Sequence, residues 1–314
     1  MTVVSEDLAR DGFAWPEPLA FVDLDSAPHH LDDLRLPPWP VVGTGNPLHP
    51  LASRLDTHVE KGFDAVQLVR AVQASPIAAA TLIQLLRLLP ALSVPDGLVA
   101  ESLAYATLQG AEAHRSWIAG HRARQPAPAP TPTPGAVTLT REGDAVSAVL
   151  ARPEVGNAID RAMRDALSEA FALLNMDSSI ASITLEGSGK AFSLGADLDE
   201  FGTTRDPAVA HAIRCRTLPA HEAARCADRF HARIDGACVG SGLELAAFAA
   251  RITATRRSWF QLPELAMGII PGAGGCVSLT RRIGRQRTAL LVLSGRRISA
   301  QRALEWGLVD ALVD

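Results

Sequence analysis

Between Arg124 and Gly135, proline stands at every second position from Pro126 to Pro134, interleaved with alanine and threonine. Proline has no amide hydrogen to donate and disfavours helix in the residue before it. The segment can therefore enter neither helix nor sheet, and it reads as an extended, semi-rigid spacer. It divides the 314 residues into a front part, 1–121, a linker, 122–135, and a rear part, 136–314. Any fold for the chain must place that spacer outside its regular structure.

The front part is expected to be mainly helical. Short strands are read at 20–25 (AFVDLD) and 39–45 (WPVVGTG), with the loop DDLRLPPWP leading into the second. Val66, Val69 and Val72 follow a helical spacing that Pro76 closes. Residues 77–92, IAAATLIQLLRLLPAL, are apolar on almost every side, so that helix must be buried or sit at an interface. A third helix runs on to about residue 121 with a break near Gly110, and Asp96 is the candidate cap at its start.

The rear part alternates β and α. Two strands flank a Glu-Gly-Asp turn at 142–144, and Ile159, Met163, Leu167, Phe171 and Leu174 share one side of the following helix. Strands at 180–185, in HARIDG and in RITAT are followed by helices or glycine turns. Strand–helix alternation with glycine at the strand ends argues an α/β fold that binds ligands at those ends.

Composition narrows the function. A net charge of −4 and a pI near 6.1 give no broad attraction to nucleic acid or to an anionic membrane. No apolar run has the length of a membrane span, and MTVVSEDLARDGF lacks the basic and apolar regions of a secretory signal. Cys215, Cys226, Cys238 and Cys276 form no CxxC pair and stand at no metal-ligand spacing, so reduced thiols in a cytoplasmic protein without a metal are expected. Tyr105 is the only tyrosine, and aromatics reach 5%, too few for a base-stacking platform. RRIGRQR, Arg281–Arg287, is locally basic and reads as a solvated helix face or a phosphate contact.

The chemistry concentrates in His231–Gly275 and in KAFSLGAD, Lys190–Asp197. Gly236, Gly240 and Gly242 make a tight strand-to-helix turn, and the unpaired N–H groups of a helix start suit an oxyanion. A packing turn without a ligand is the alternative. Leu194-Gly195-Ala196 is a second small-residue turn at a strand end, and two such turns can each aim one N–H at a single oxygen. Glu244 and Glu264 lie in apolar surroundings, where a carboxyl must be paired, protonated or functional. A helix-end charge is the alternative for either one; together they can divide acid and base work. Ser241 has no nucleophile-elbow context, and His221 and His231 read as surface or strand-end residues.

Five segments, LARPEVGNAID, KAFSLGADLDEF, GACVGSGLELAAFAA, FQLPELAMGIIPGAGG and ISAQRALEWGLVD, occur in one order over 136–314 and resemble the enoyl-CoA hydratase/isomerase, or crotonase, superfamily. The resemblance implies a spiral of ββα units, a homo-oligomer (trimer or hexamer), an acyl-CoA thioester substrate and no cofactor beyond the coenzyme A that the substrate carries. It implies oxyanion-hole N–H groups at Leu194 and Ser241, where the family usually has glycine in place of Ser241. It implies CoA contacts at Leu194, Gly195, Ala196, Asp197, Gly240 and Gly272. Glu244 and Glu264, twenty residues apart, match the paired carboxyls of true hydratases and imply addition of water to a 2-enoyl-CoA. A Δ3,Δ2-enoyl-CoA isomerase using one glutamate, a non-catalytic acyl-CoA-binding protein and an RNA-binding member are the rival readings. The family also implies helices beyond the GLVD segment that this sequence lacks, and the apolar front helices are expected in their place.

Overall fold

The computed structural model of the protein describes residues 18–29, 34–124 and 133–314. Residues 1–17 and the proline-alternating stretch from 125 to 132 lie outside the described residues, as does the start of the loop leading to residue 39.

The front part opens with three short strands, β1 (Ala20–Asp23), β2 (Val41–Thr44) and β3 (Thr57–His58), paired in parallel in that order. The small sheet they form goes beyond the two strands read from sequence. Four helices follow: α1 (Ala65–Ala74), α2 (Pro76–Leu88), α3 (Val94–Gln109) and α4 (Glu112–Arg124). α4 therefore extends three residues into the expected linker. Asp96 is not the cap of α3. The Ser93 side chain accepts from the Asp96 N–H at 3.2 Å, and the Asp96 carboxylate accepts from the Ser93 hydroxyl. Among the described residues, no single helix is long and apolar enough to cross a membrane.

The rear part repeats one unit. β4 (Val137–Glu142) and β5 (Ala145–Leu150) form a hairpin, and α5 (Arg161–Met176) follows. Next come β6 (Ser182–Gly187), β7 (Ala191–Ser193), α6 (Pro207–Thr217) and α7 (Pro219–Arg225). A third turn holds β8 (Phe230–Ile234), β9 (Ala237–Val239) and α8 (Ser241–Ala246). A fourth holds β10 (Arg251–Thr255), β11 (Trp259–Gln261), α9 (Gly275–Ile283) and α10 (Arg285–Ser294). β12 (Ile298–Ser299), α11 (Ala300–Trp306) and β13 (Ala311–Val313) complete it.

From β6 to β11 the first strand of each unit joins a six-stranded sheet, β13-β10-β8-β6-β5-β4, and the second joins a four-stranded sheet, β12-β11-β9-β7. The chain must turn sharply to change sheets. At Gly236 it does so with φ +73°, where a Cβ would stand 2.2 Å from the Lys190 carbonyl oxygen. No side chain is tolerated there. This is the ββα repetition expected from the sequence, with the short strand ends of β7, β9 and β11 gathered on one side.

The linker separates the two parts in sequence but not in packing. One hydrophobic core takes in Leu68 and Val72 of α1, Leu82 and Leu86 of α2 and Leu98 of α3. The same core holds Phe171 and Phe230, whose rings meet at 4.7 Å, and Val277, Leu290 and Leu291 of α9 and α10. Half of residues 77–92 are thus buried, with Ile77 and Leu88 left exposed. The basic run from Arg281 to Arg287 is broken by Gly284 between α9 and α10. Its arginines work internally. Arg281 donates to the Leu92 carbonyl at 3.1 Å, Arg282 to the Ala249 and Leu308 carbonyls at 2.7 Å, and Arg287 pairs with Glu60 at 3.1 Å. Arg281 and Arg287 thereby fasten front to rear, although Arg281 stays exposed.

Candidate active site

A cleft of about 350 Å³ opens where α8, the turn after β7 and the glycine turn before α9 meet. Each of its carboxyls is placed by a local necessity of the chain.

Glu244 lies in the first turn of α8, which starts at Gly240 with φ +49°. A Cβ at Gly240 would stand 2.8 Å from Glu264 Oε1, so glycine is needed for space as well as for conformation. The Glu244 side chain is buried, and its Oε2 accepts from the N–H groups of Ala273 (2.7 Å) and Gly275 (2.9 Å). Burial lifts its pKa to about 7, and the donors from the glycine turn hold it back from rising further. Glu264 follows Pro263 at the start of a single 3₁₀ turn, Glu264–Met267. It is 8% exposed, and its Oε2 has no hydrogen-bond partner among the described residues. Burial, with the neighbouring Glu244 charge behind it, pushes its pKa well up. One carboxyl is thus held by two donors of the glycine turn, and the other keeps one oxygen without a partner among the described residues, inside one cleft.

The two small-residue turns come together as well. A Cβ on Gly195, at φ +93°, would lie 3.1 Å from the Val239 carbonyl oxygen and 3.5 Å from Gly240 Cα. The donor expected at Leu194 is not available. Its N–H is donated to the Gly156 carbonyl at 2.9 Å, and its side chain packs over Gly156. The next amide, Gly195, donates to Ser193 Oγ at 3.1 Å, and Asp197 donates to the Ile159 carbonyl at 3.0 Å. That leaves Ala196, which lines the cleft and whose N–H has no acceptor among the described residues. Ser241, first residue of α8, likewise lines the cleft with its N–H unengaged among the described residues. Its Oγ is buried without a partner among the described residues. The two N–H groups left unengaged at the cleft wall among the described residues are therefore those of Ala196 and Ser241, and Leu194 contributes only its side chain to the wall.

The remaining predicted residues also reach the cleft. Gly195, Asp197, Gly240 and Gly272 line it. The Asp197 carboxylate is engaged by Arg152 at 2.7 Å and caps the turn at Leu198–Glu200, so its role is to hold the wall. Gly272 is covered by the Tyr105 ring, which a Cβ there would meet at 2.1 Å. Asn157, in the first of the five sequence segments, is fully buried at φ +55°. It receives the Arg152 N–H and donates to the Ser188, Ala191 and Phe192 carbonyls, tying the β6–β7 turn to the wall.

Sequence reasoning missed what the front helices do here. Glu101 of α3 is buried, and its carboxylate accepts from the N–H groups of Gly274 (2.6 Å), Cys276 (2.8 Å) and Val277 (3.3 Å). It thereby fixes the same turn that donates to Glu244. His114 of α4 is buried too, and its Nδ1 donates to the Met267 carbonyl at 2.8 Å, inside the turn that carries Glu264. Burial holds the His114 pKa down. α3 and α4 each brace the turn of one of the two site carboxyls, and Tyr105, Gln109 and His114 line the cleft. A lone glutamate in the apolar stretch LVAESLAYATL was the available signal. Among the described residues, no three His, Cys, Asp or Glu side chains converge to hold a metal.

Two sheets joined by repeated ββα units, with facing N–H turns and paired carboxyls at one end, define a crotonase-type α/β protein. The sequence profile of the enoyl-CoA hydratase/isomerase family matches residues 142–314, and the chain belongs to that family. It is 33% identical over 172 residues to mevalonyl-coenzyme A hydratase of Beauveria bassiana, covering 52% of this chain and 61% of that protein. It is 32% identical to 2,3-dehydroadipyl-CoA hydratase of Escherichia coli, covering 55% and 67%. Among solved structures, an enoyl-CoA hydratase from Thermoplasma volcanium shares 37% identity at a TM-score of 0.51, covering 57% of this chain and 71% of the other. An enoyl-CoA hydratase/carnithine racemase from Magnetospirillum magneticum shares 32% at 0.52, covering 57% and 68%. The chain spans 56% to 67% of the length of the curated relatives it matches.

Proposed function

We propose that the protein adds water to a 2-enoyl-CoA, forming a 3-hydroxyacyl-CoA. The observation that carries this is the unlike setting of two carboxyls in one cleft. Glu244 is held as an acceptor by backbone donors, and Glu264 is buried with a free oxygen. Opposed environments of this kind separate a base from an acid.

The thioester oxygen takes the Ala196 and Ser241 N–H groups. Water sits between the carboxyls. Glu244 accepts a water proton as the oxygen bonds to C3, and the C2–C3 π pair moves to form the enolate. Glu264 then delivers its proton to C2, and proton exchange with solvent resets the pair. The chemistry calls for no group beyond the CoA carried by the substrate. Unpaired cysteines support a reducing compartment such as the cytoplasm. Assembly as a homo-oligomer, trimer or hexamer, belongs to the same reading, supported by Ile77 and Leu88 standing 61% and 60% exposed on α2; light scattering checks it.

The test is loss of the enoyl absorbance of crotonyl-CoA. Glu244→Gln and Glu264→Gln should each lower kcat by about 10²–10⁴-fold, with thioester binding nearly unchanged. Conversion of a 3-enoyl-CoA with no water addition would instead identify an isomerase, and full turnover by either variant would refute the assigned roles.

A further inference from the structure

Three arginines reach the cleft, and two of them are paired. Arg161 lies 4.0 Å from the Glu200 carboxylate, and Arg164 lies 2.7 Å from that of Asp165. Arg214 of α6 has no carboxylate within 4.0 Å among the described residues. It is half-buried, and its hydrogen bonds all go to neutral acceptors. Nε donates to Ser102 Oγ (3.0 Å), Nη2 to the Ser102 carbonyl (3.2 Å) and Nη1 to Gln109 Oε1 (2.9 Å). The Ser102 hydroxyl is itself fixed by His211 at 2.9 Å. The guanidinium lies 4.6 Å above the centre of the Tyr105 ring. Three of five N–H donors are engaged, which leaves two. A partly desolvated cation without a counter-ion is costly to hold. This one is also rigid, as a recognition group must be. The buried site carboxyls form no ion pair with it, and only the Glu101 charge acts on it from a distance. Glu101 and Glu244 are engaged by backbone N–H groups, and Glu264 is assigned to the reaction.

Resting on the hydratase reading, we propose that Arg214 receives a carboxylate at the far end of the acyl group. The substrate is then the CoA thioester of an unsaturated dicarboxylic acid. Tyr105 sets the spacing, because its ring covers Gly272, next to the turn that holds Glu244, and also carries Arg214. A neutral chain has a different destination, the apolar recess of about 170 Å³ walled by Leu167, Leu218 and Leu245.

The experiment compares a carboxylate-terminated 2-enoyl-CoA with its methyl ester on the full-length protein. The wild type should favour the acid by about 10- to 100-fold in kcat/KM, the range of a charge-assisted bidentate contact. Arg214→Met should remove that preference and leave the ester within about threefold, and Arg214→Lys should restore part of it. Equal turnover of acid and ester by the wild type overturns the proposal. An equal loss on both substrates with weakened binding of free CoA also overturns it, since Arg214 would then hold a CoA phosphate. If the protein hydrates neither compound, the hydratase reading fails separately. Calorimetric binding of the saturated acid and ester thioesters then decides the Arg214 contact by itself, tighter binding of the acid supporting it and equal binding overturning it.

Discussion

At the scale of single residues, the site is a set of carboxyls kept in places a carboxylate would avoid. The folded pKa of Glu244 is raised from the ordinary 4.5 to about 7, and that of Glu264 well above 4.5. A raised folded pKa means the folded state binds the proton more tightly. The resulting stabilisation is complete below pH 4.5 and is lost as pH climbs, for Glu244 until about pH 7. The protein should therefore unfold more easily at pH 8 than at pH 5. Glu264→Gln removes one such group and nearly keeps its shape. We expect it to lower kcat by the same factor of about 10²–10⁴ yet raise stability at pH 8 by roughly 1–3 kcal/mol, with little change at pH 4. Denaturant titrations at the two pH values measure both, and a variant with the wild-type pH slope would show that Glu264 is not strained by burial.

At the scale of elements, α3 explains why part of the site escaped the sequence. Helical periodicity detects an apolar stripe, but the α3 residues that line the cleft or tie it to the rear part are Glu101, Ser102, Tyr105 and Gln109, all polar-tipped. Its apolar residues are spread round the rest of the helix, so nothing marked the functional side. The same logic that exposed Glu244 and Glu264, a carboxylate among aliphatic neighbours, applies to Glu101 as well. The ββα repeats were legible because glycine turns and alternating strands are local signals. The choice of donor was not. Leu194, Gly195 and Ala196 are three adjacent small-turn amides, and which one faces the cleft depends on pairing with Gly156 and Ile159, far away in sequence. The stitching role of α3 has a measurable consequence. Glu101→Ala leaves the N–H groups of Gly274, Cys276 and Val277 without their acceptor. It should cost about 2–4 kcal/mol in urea unfolding and lower kcat more than it raises KM, because the turn that orients Glu244 loosens. An unchanged kcat in a stable variant would reduce Glu101 to a packing role.

At the scale of the whole molecule, the spacer and the core disagree about where the protein divides. By sequence the catalytic unit begins at Ala136. By packing it includes α1 to α4, since Leu82, Leu86 and Leu98 share one core with Val277, Leu290 and Leu291. The bracing contacts of Glu101 and His114 cross the same boundary. A polypeptide of residues 136–314 would expose the apolar faces of α9 and α10 and leave the cleft without its Tyr105 and His114 wall. Burial of large aliphatic side chains is worth about 1.5–3 kcal/mol each, and exposed patches of this kind drive association. We therefore expect the 136–314 fragment to be insoluble or aggregated, and co-expression with residues 1–124 to recover a soluble complex that hydrates crotonyl-CoA. Size-exclusion chromatography with light scattering, followed by the absorbance assay, decides the matter. A soluble, monodisperse and active 136–314 fragment would mean that the front helices only decorate a self-sufficient fold, and the bracing assigned to Glu101 and His114 would fall with it.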